Sequence, residues 1–275
     1  MLWADIENVR SAPMPGLRGS CPVCARTVIA KCGTQRVHHW AHIGERMCDR
    51  WWEAEMQWHR TWKLRFPEAW HECILHDAKG EKHIADVRTP DGVVIEFQHS
   101  YLRAEERAAR ELFYRDMIWV VDGARLQRDL PRFIEGAREF RSVGKGVFQH
   151  PFPDEVFPKL WLGCAAPVLF DFGMPANREA AAIVRGCLWC LLPQTAGQAI
   201  VVQISREAFL RNAHEKAMAL LFLPLRMQLQ QMLSAQRERN RQDNLRTLAA
   251  MIQKRQRKWR PRRQWRPTGP KRRVF

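Results

Sequence analysis

Within its first 49 residues the chain places Cys21-Pro-Val-Cys24 and, after fourteen intervening residues, His39-Trp-Ala-His42. This segment is rich in Cys, His and Gly and offers only short extended candidates, so its apolar core is too small to hold it together unaided. Two short pairs of nitrogen and sulfur ligands can close a tetrahedron around zinc and tie the halves of a small knuckle. The expected ligands are Cys21, Cys24, His39 and His42, with Cys32, His38 and Cys48 in reserve and unliganded loop cysteines as the alternative. Four protein ligands leave no open position, so the zinc is expected to be structural. The histidine spacing is tighter than in common DNA-binding fingers, and major-groove recognition is not inferred.

The charge is divided unevenly along the 275 residues, which carry a net +16. Residues 226–275 hold 16 Lys or Arg against Glu238 and Asp243, a net of +14, which leaves +2 for the first 225. A nearly neutral body with a basic tail points to a polyanion such as DNA as partner. With 46% apolar residues the chain can bury a sizeable core, in one or two folded units at about 150 residues each. The longest apolar run, Ala217 to Leu225, contains Pro224 and is far shorter than the roughly 18 residues of a membrane span. No membrane partner is expected. The opening MLWADIENVR has acids and no long apolar stretch, so a reducing cytoplasm is expected, where eight cysteines serve metals or cores.

The rest of the chain reads as α/β. Residues 50–66 lack Gly and Pro until Pro67 and predict a helix. Three strands are expected over Trp70–His76, Lys82–Thr89 and Gly92–His99, the last two joined by the turn Thr89-Pro90-Asp91-Gly92. Helix formers fill residues 102–115, and Met117–Val121 is a short apolar strand. Further strands are expected at Pro167–Phe172, Ala182–Leu192 and Ala199–Ser205, with a helix from Arg206 to about Leu223. Beyond Pro224, Leu225, Leu229, Met232 and Leu233, then Leu245, Leu248, Ala249 and Ile252, follow a helical rhythm. That stripe needs a partner surface, either the protein's own body or another chain in a homo-oligomer or complex. The Pro-rich basic stretch after Lys258 argues for disorder. Four regions result: a zinc module at 1–49, a core at 50–148, an α/β extension at 149–224, and a basic helix with its tail at 225–275.

Two carboxylates stand out. Asp86 in HIADVR and Glu96 in VVIEFQ lie on adjacent strands of the hairpin, and a turn centred near residue 91 brings them side by side. Paired carboxylates repel unless a cation lies between them, and oxygen donors suit Mg²⁺ or Mn²⁺. The alternative, solvated charges on a polar face, loses weight because Val93, Val94 and Ile95 immediately precede Glu96. On the first helix Glu55, His59 and Lys63 recur every four residues, opposite Trp51, Trp58 and Trp62; Glu55 could add a metal ligand. Cys187 and Cys190 sit three apart on a strand, point to opposite faces, and read as core thiols. Asp171-Phe-Gly173 lacks the loops that would make it a kinase magnesium motif.

Taken in order, CPVC, HHWAH, the Glu55/His59/Lys63 helix, the ADV at 85–87, EFQHS at 96–100 and the Arg110–Tyr114 pair resemble the competence protein CoiA-like family. The core of that family resembles the PD-(D/E)xK, or restriction-endonuclease-like, nucleases, with their order of helix, three strands, helix and strand. PVLFDFG at 167–173 is similar to the family's C-terminal part. The resemblance implies a metal-dependent DNA endonuclease in which Asp86, Glu96 and the Phe97 carbonyl hold the catalytic ion. Gln98 stands where these nucleases usually carry lysine, and can only orient water or phosphate; Lys63, Lys82 or His83 could supply the missing charge. Arg110 and Tyr114 would touch phosphate, with simple packing as the alternative. Arg257, Lys258, Arg260, Arg262 and Arg263 would add sequence-independent affinity, and Trp259 and Trp265 could stack on unpaired bases. The rival expectation is a non-catalytic DNA-binding or recombination accessory protein that keeps the nuclease fold.

Overall fold

Short alternating runs at the start of the chain pair into a small antiparallel sheet. In the computed structural model, which describes all residues except 45–47, 52–54, 194–198, 222 and 259–275, these strands are β1 (Ala4–Ile6), β2 (Val9–Ser11), β3 (Arg18–Ser20), β4 (Thr27–Lys31) and β5 (His39–His42). Their order is β2-β1-β3-β4-β5. Gly19 permits the close approach of β3 to β1: a Cβ there would meet the Asp5 carbonyl at 2.9 Å. The core of this sheet is Met1, Ala4, Val28 and the fully buried Trp40, completed by Cys21 and Cys48. That is a small store of apolar area, in line with a segment that needs a further tie.

The turn Thr89-Pro90-Asp91-Gly92 closes as its residues dictate. Thr89 N–H donates to the Val93 carbonyl at 2.9 Å, and Gly92 takes φ +90°, a region that glycine enters without strain. It joins two members of a larger sheet built from β6 (His71–His76), β7 (Lys82–Arg88), β8 (Val94–Gln98), β9 (Met117–Asp122), β10 (Arg141–Gly144), β11 (Val147–His150), β12 (Val168–Asp171), β13 (Cys187–Leu191) and β14 (Ala199–Ser205). Among the described residues the order is β10-β11-β14-β13-β12-β9-β8-β7-β6. The β8–β9 and β9–β12 pairs are parallel and the remaining neighbours antiparallel. The parallel strands are buried almost throughout, and apolar apart from Glu96, Gln98, Asp122 and Asp171, as strands covered on both faces are. One sheet thus joins residues on both sides of position 148.

The helices are α1 (Gln57–Lys63), α2 (Ala104–Tyr114), α3 (Asp129–Ala137), α4 (Pro153–Val156), α5 (Lys159–Leu162), α6 (Arg178–Val184), α7 (Arg206–His214), α8 (Met218–Leu221) and α9 (Leu223–Lys258). Three expectations are corrected here. The first helix begins at Gln57, so Glu55 precedes it and no longer belongs to a helical stripe. Ala182–Val184 is helix and the strand begins only at Cys187, because Asn177 caps the alanine-rich run by accepting from Ala180 N–H. The helix from Arg206 breaks after His214, where Lys216 takes φ +56°.

Residues Met1–Pro224 form one compact unit and Leu225–Phe275 another. In the second, α9 continues to Lys258 and exposes Leu245, Leu248, Met251 and Ile252. Arg257 and Lys258 fall on its last turn. Trp259, Arg260, Arg262, Arg263 and Trp265 lie outside the described residues. Among the described residues no helix is long and apolar enough to cross a membrane.

Candidate functional site

The first cluster is the knuckle of the N-terminal sheet. Cys21 N–H donates to the Arg26 carbonyl and Ala25 N–H to the Cys21 carbonyl, curling the chain so that Cys21 and Cys24 face one point. His42 arrives from β5 and Cys48 from the segment after it, and the four ligand atoms lie within 4.8 Å of one another. Cys24 Sγ is 3.3 Å and Cys48 Sγ 3.6 Å from His42 Nε2, and Cys21 Sγ is 4.0 Å from Cys48 Sγ. Zinc bonds of about 2.3 Å to sulfur and 2.0 Å to nitrogen put tetrahedral ligands about 3.5–3.8 Å apart, so this Cys₃His set is able to hold zinc. Burial and the neighbouring sulfurs of Cys21 and Cys24 push the Cys48 thiol up to about 12, so three thiolates coexist there only with a cation among them.

His39 is not a member, which corrects the expected ligand set. Residues three apart on a strand point to opposite faces, and the His39 Nδ1 sits 2.9 Å from the Val37 carbonyl. Cys48, one of the reserve ligands, takes its place. The knuckle is strapped to the rest of the unit by Lys82, whose ammonium donates to the Val23 carbonyl at 2.6 Å. Arg60 on α1 reaches the His38 carbonyl at 2.8 Å.

The second cluster lies where β7 and β8 part. Their register pairs Val87 with Ile95 and Arg88 with Val94, which sets Asp86 beside Glu96. At that step side chains replace the ladder. Asp86 N–H donates to Glu96 Oε1 at 3.1 Å, and Phe97 N–H to Asp86 Oδ2 at 3.0 Å. On the other flank, His71 pairs with Val87 and Cys73 with Ala85, so Glu72 faces Asp86 across β6 and β7. Glu72, Asp86 and Glu96 therefore form an acidic row over three strands. Sequence reasoning missed Glu72; its φ of +47°, rare for a non-glycine residue, is a feature only coordinates reveal.

Lys63 crosses this row from α1. Its ammonium lies 3.1 Å from Glu72, 3.4 Å from Glu55 and 3.7 Å from Asp86, and is almost wholly buried. Burial alone would lower its pKa, but the three carboxylates raise it, so it stays charged. His59, one turn earlier, places Nε2 2.9 Å from Asp86 Oδ1. Burial opposes the charge of Asp86, yet His59 and Lys63 hold its carboxyl well below the usual range. Glu96 moves the other way: burial and the adjacent Asp86 raise it, against Arg110. Two carboxylates in one dry place do not both ionise readily without another cation.

The remaining expected site residues are placed as follows. Glu55 is held by Arg60, and its Oε1 is buried without a hydrogen bond. Gln98 is buried and donates to the Ser100 carbonyl at 3.2 Å. Of the three candidates for the missing positive charge, only Lys63 reaches the acids; Lys82 holds the knuckle, and His83 contacts Asp49 and Glu81. Arg110 and Tyr114 face inward. Arg110 Nη1 donates to Glu96 at 2.9 Å and Nη2 to Glu106 at 2.6 Å, while Tyr114 packs edge-on against Trp51 and Phe113. Both are buried, as the packing alternative has it, although Arg110 also lines the acidic cleft. A cleft of about 60 Å³ opens on the acidic row, lined by Glu55, His59, Lys63, Glu72, Asp86, Glu96 and Gln98 among others.

Residues 18–50 match the family model described as the N-terminal domain of competence protein CoiA. The matched span contains all four members of the Cys₃His cluster. No curated protein and no solved structure gives a significant match to the chain.

Proposed function

We propose that this chain is a divalent-metal-dependent DNA nuclease whose N-terminal module is a structural zinc knuckle. The observation that carries the reading is the acidic pair Asp86 and Glu96 at the point where two strands separate, with Lys63 buried beside it. The match to a competence protein's N-terminal domain supports a setting in DNA uptake and recombination. The restriction-endonuclease-like order of helix, three strands, helix and strand supports the same reading, since α1, β6, β7, β8, α2 and β9 follow one another in that sequence.

The donor set fits a hard cation. Asp86 and Glu96 supply facing carboxylates, Glu55 a buried oxygen without a hydrogen bond, and Phe97 the intervening backbone. Mg²⁺ or Mn²⁺ bound there supplies an acidified water and neutralises charge on the scissile phosphate. Lys63 does what Gln98 cannot: its ammonium sits beside Asp86 and is available to the phosphate's developing charge. His59 holds Asp86 in place and stands within reach of a proton released next to it. Arg110 fixes Glu96 at 2.9 Å, a positioning role, and also lines the cleft.

One observation favours the rival reading, a non-catalytic DNA-binding protein that retains the fold. Every oxygen of Asp86 and Glu96 already meets a group of the chain itself. Glu96→Gln decides between them. Cleavage of plasmid and single-stranded DNA with Mg²⁺ or Mn²⁺ is expected to fall at least about 100-fold while DNA affinity is retained. No cleavage by either protein would leave the binding module standing, and equal cleavage by both would remove Glu96 from the catalytic set and overturn this site.

A further inference from the structure

A second cavity, of about 230 Å³, opens at the carboxyl ends of the parallel strands β8, β9 and β12. That is the edge at which α/β sheets gather ligands. Its inner wall is aromatic: Phe157, Trp161, Phe170 and Phe172 are each at most 5% exposed, yet all line it. At about 30 Å³ per water it would hold about eight molecules against aromatic faces that offer them few partners. At about 230 Å³ the space is too large for an ion and far too small for a duplex. Gln98 lines both this cavity and the acidic cleft, so the two lie on either side of one side chain, two residues beyond Glu96.

The mouth is electrostatically biased. Asp122 is hydrogen-bonded to His99 at 2.7 Å and Asp129 is paired with Arg132 at 2.9 Å, so both acids of the wall have partners of their own. Arg125 and Arg128 also line the cavity, are exposed, and form no ion pair among the described residues. An aromatic-walled cavity with two exposed guanidinium groups among its lining residues matches a base attached to a phosphate backbone. Resting on the nuclease reading above, we infer that this cavity receives one unpaired base of the DNA strand whose phosphate lies at the acidic row. The substrate class is then single-stranded DNA, or duplex DNA from which a nucleotide has been flipped, since a stacked base pair cannot enter.

The test is a difference in affinity that cancels the basic tail. A (dT)12 oligonucleotide and an abasic 12-mer have the same phosphates, so the counterion-release contribution is common to both. With the full chain, no added divalent ion and no chelator, (dT)12 is expected to bind about tenfold more tightly than the abasic strand. Leu126→Trp, which fills the cavity from a half-buried loop position, is expected to bring that ratio close to one while binding to the abasic strand is unchanged. Ser100→Trp is a second filling variant should the first not fold, and circular dichroism identifies which of them is native. Equal affinity for the two strands in the wild type, or an undiminished ratio in a folded filling variant, overturns the inference. Free dTMP binding as tightly as (dT)12 also overturns it, because the site would then serve a free nucleotide. Since binding alone is read, these outcomes do not depend on whether Glu96→Gln abolishes cleavage.

Discussion

His42 and Cys48 reach one point in the knuckle, whereas His39, on the same strand as His42, turns to the other face and meets the Val37 carbonyl. Which of His39 and Cys48 joins the cluster able to hold a metal is therefore decided by strand alternation and not by the distance along the chain. The expected consequence is a sharp asymmetry between two single substitutions. Cys48→Ser should weaken zinc retention by more than the about 10- to 100-fold that follows loss of an outer partner, and loosen the N-terminal sheet with it. His39→Ala should keep about one zinc per chain after dialysis, as measured by elemental analysis. Loss of zinc from His39→Ala with retention in Cys48→Ser would return His39 to the ligand set. The same residue-scale logic accounts for Gln98. A lysine is absent at that position, but the charge arrives from α1 as Lys63, because helix and hairpin converge on Asp86.

At the level of elements, the hairpin was legible because its turn residues and its alternation agree; both fix the Asp86–Glu96 pairing through purely local rules. The site's third acid was not legible, since Glu72 joins the row only through the β6–β7 register, which no turn chemistry announces. Nor was the role of Asp171. It forms a part-buried ion pair with Arg206 and accepts the Trp62 indole N–H at 2.9 Å, linking β12, α7 and α1 over more than a hundred residues of sequence. Such contacts lie outside any motif window. Glu72 has a measurable energetic signature. Burial opposes its charge, but Lys63, the chain's amino terminus and the Leu2 backbone N–H lower its pKa to about 2 from a usual 4.5. A carboxylate depressed in the folded state contributes stability that is complete above about pH 4.5 and is lost as pH falls towards 2. At 1.36 kcal/mol per unit this is at most about 3 kcal/mol. Urea unfolding followed by circular dichroism should therefore show wild type losing its advantage over Glu72→Gln across that window. Parallel pH profiles for the two proteins would mean that Lys63 takes its charge balance from Glu55 and Asp86 alone.

For the whole molecule, the decisive fact is that a net +14 of the total +16 sits in residues 226–275 while the acidic row, the knuckle and the aromatic cavity all belong to Met1–Pro224. On the proposed reading, chemistry and long-range attraction belong to different parts of the chain. Phosphate neutralisation makes affinity fall with salt in proportion to the number of contacts, with a slope of about 0.7 per contact on single strands. Removing 226–275 should thus flatten the plot of log affinity against log salt by several units and weaken binding most at low salt. It should leave the preference for (dT)12 over an abasic strand in place, because that preference belongs to the cavity. Anisotropy titrations between about 50 and 200 mM salt, with both oligonucleotides, separate the two contributions. The same truncation tests the apolar stripe at Leu245, Leu248 and Ile252: a drop in the number of chains per particle would make α9 the contact between copies, and an unchanged number would leave that stripe with no role in self-association. If instead the salt slope of the truncated chain equals that of the full one, the phosphate contacts come from the first 224 residues. Arg125 and Arg128 at the cavity mouth would then be the place to look for them, since they are exposed cations that no acid of the described chain neutralises.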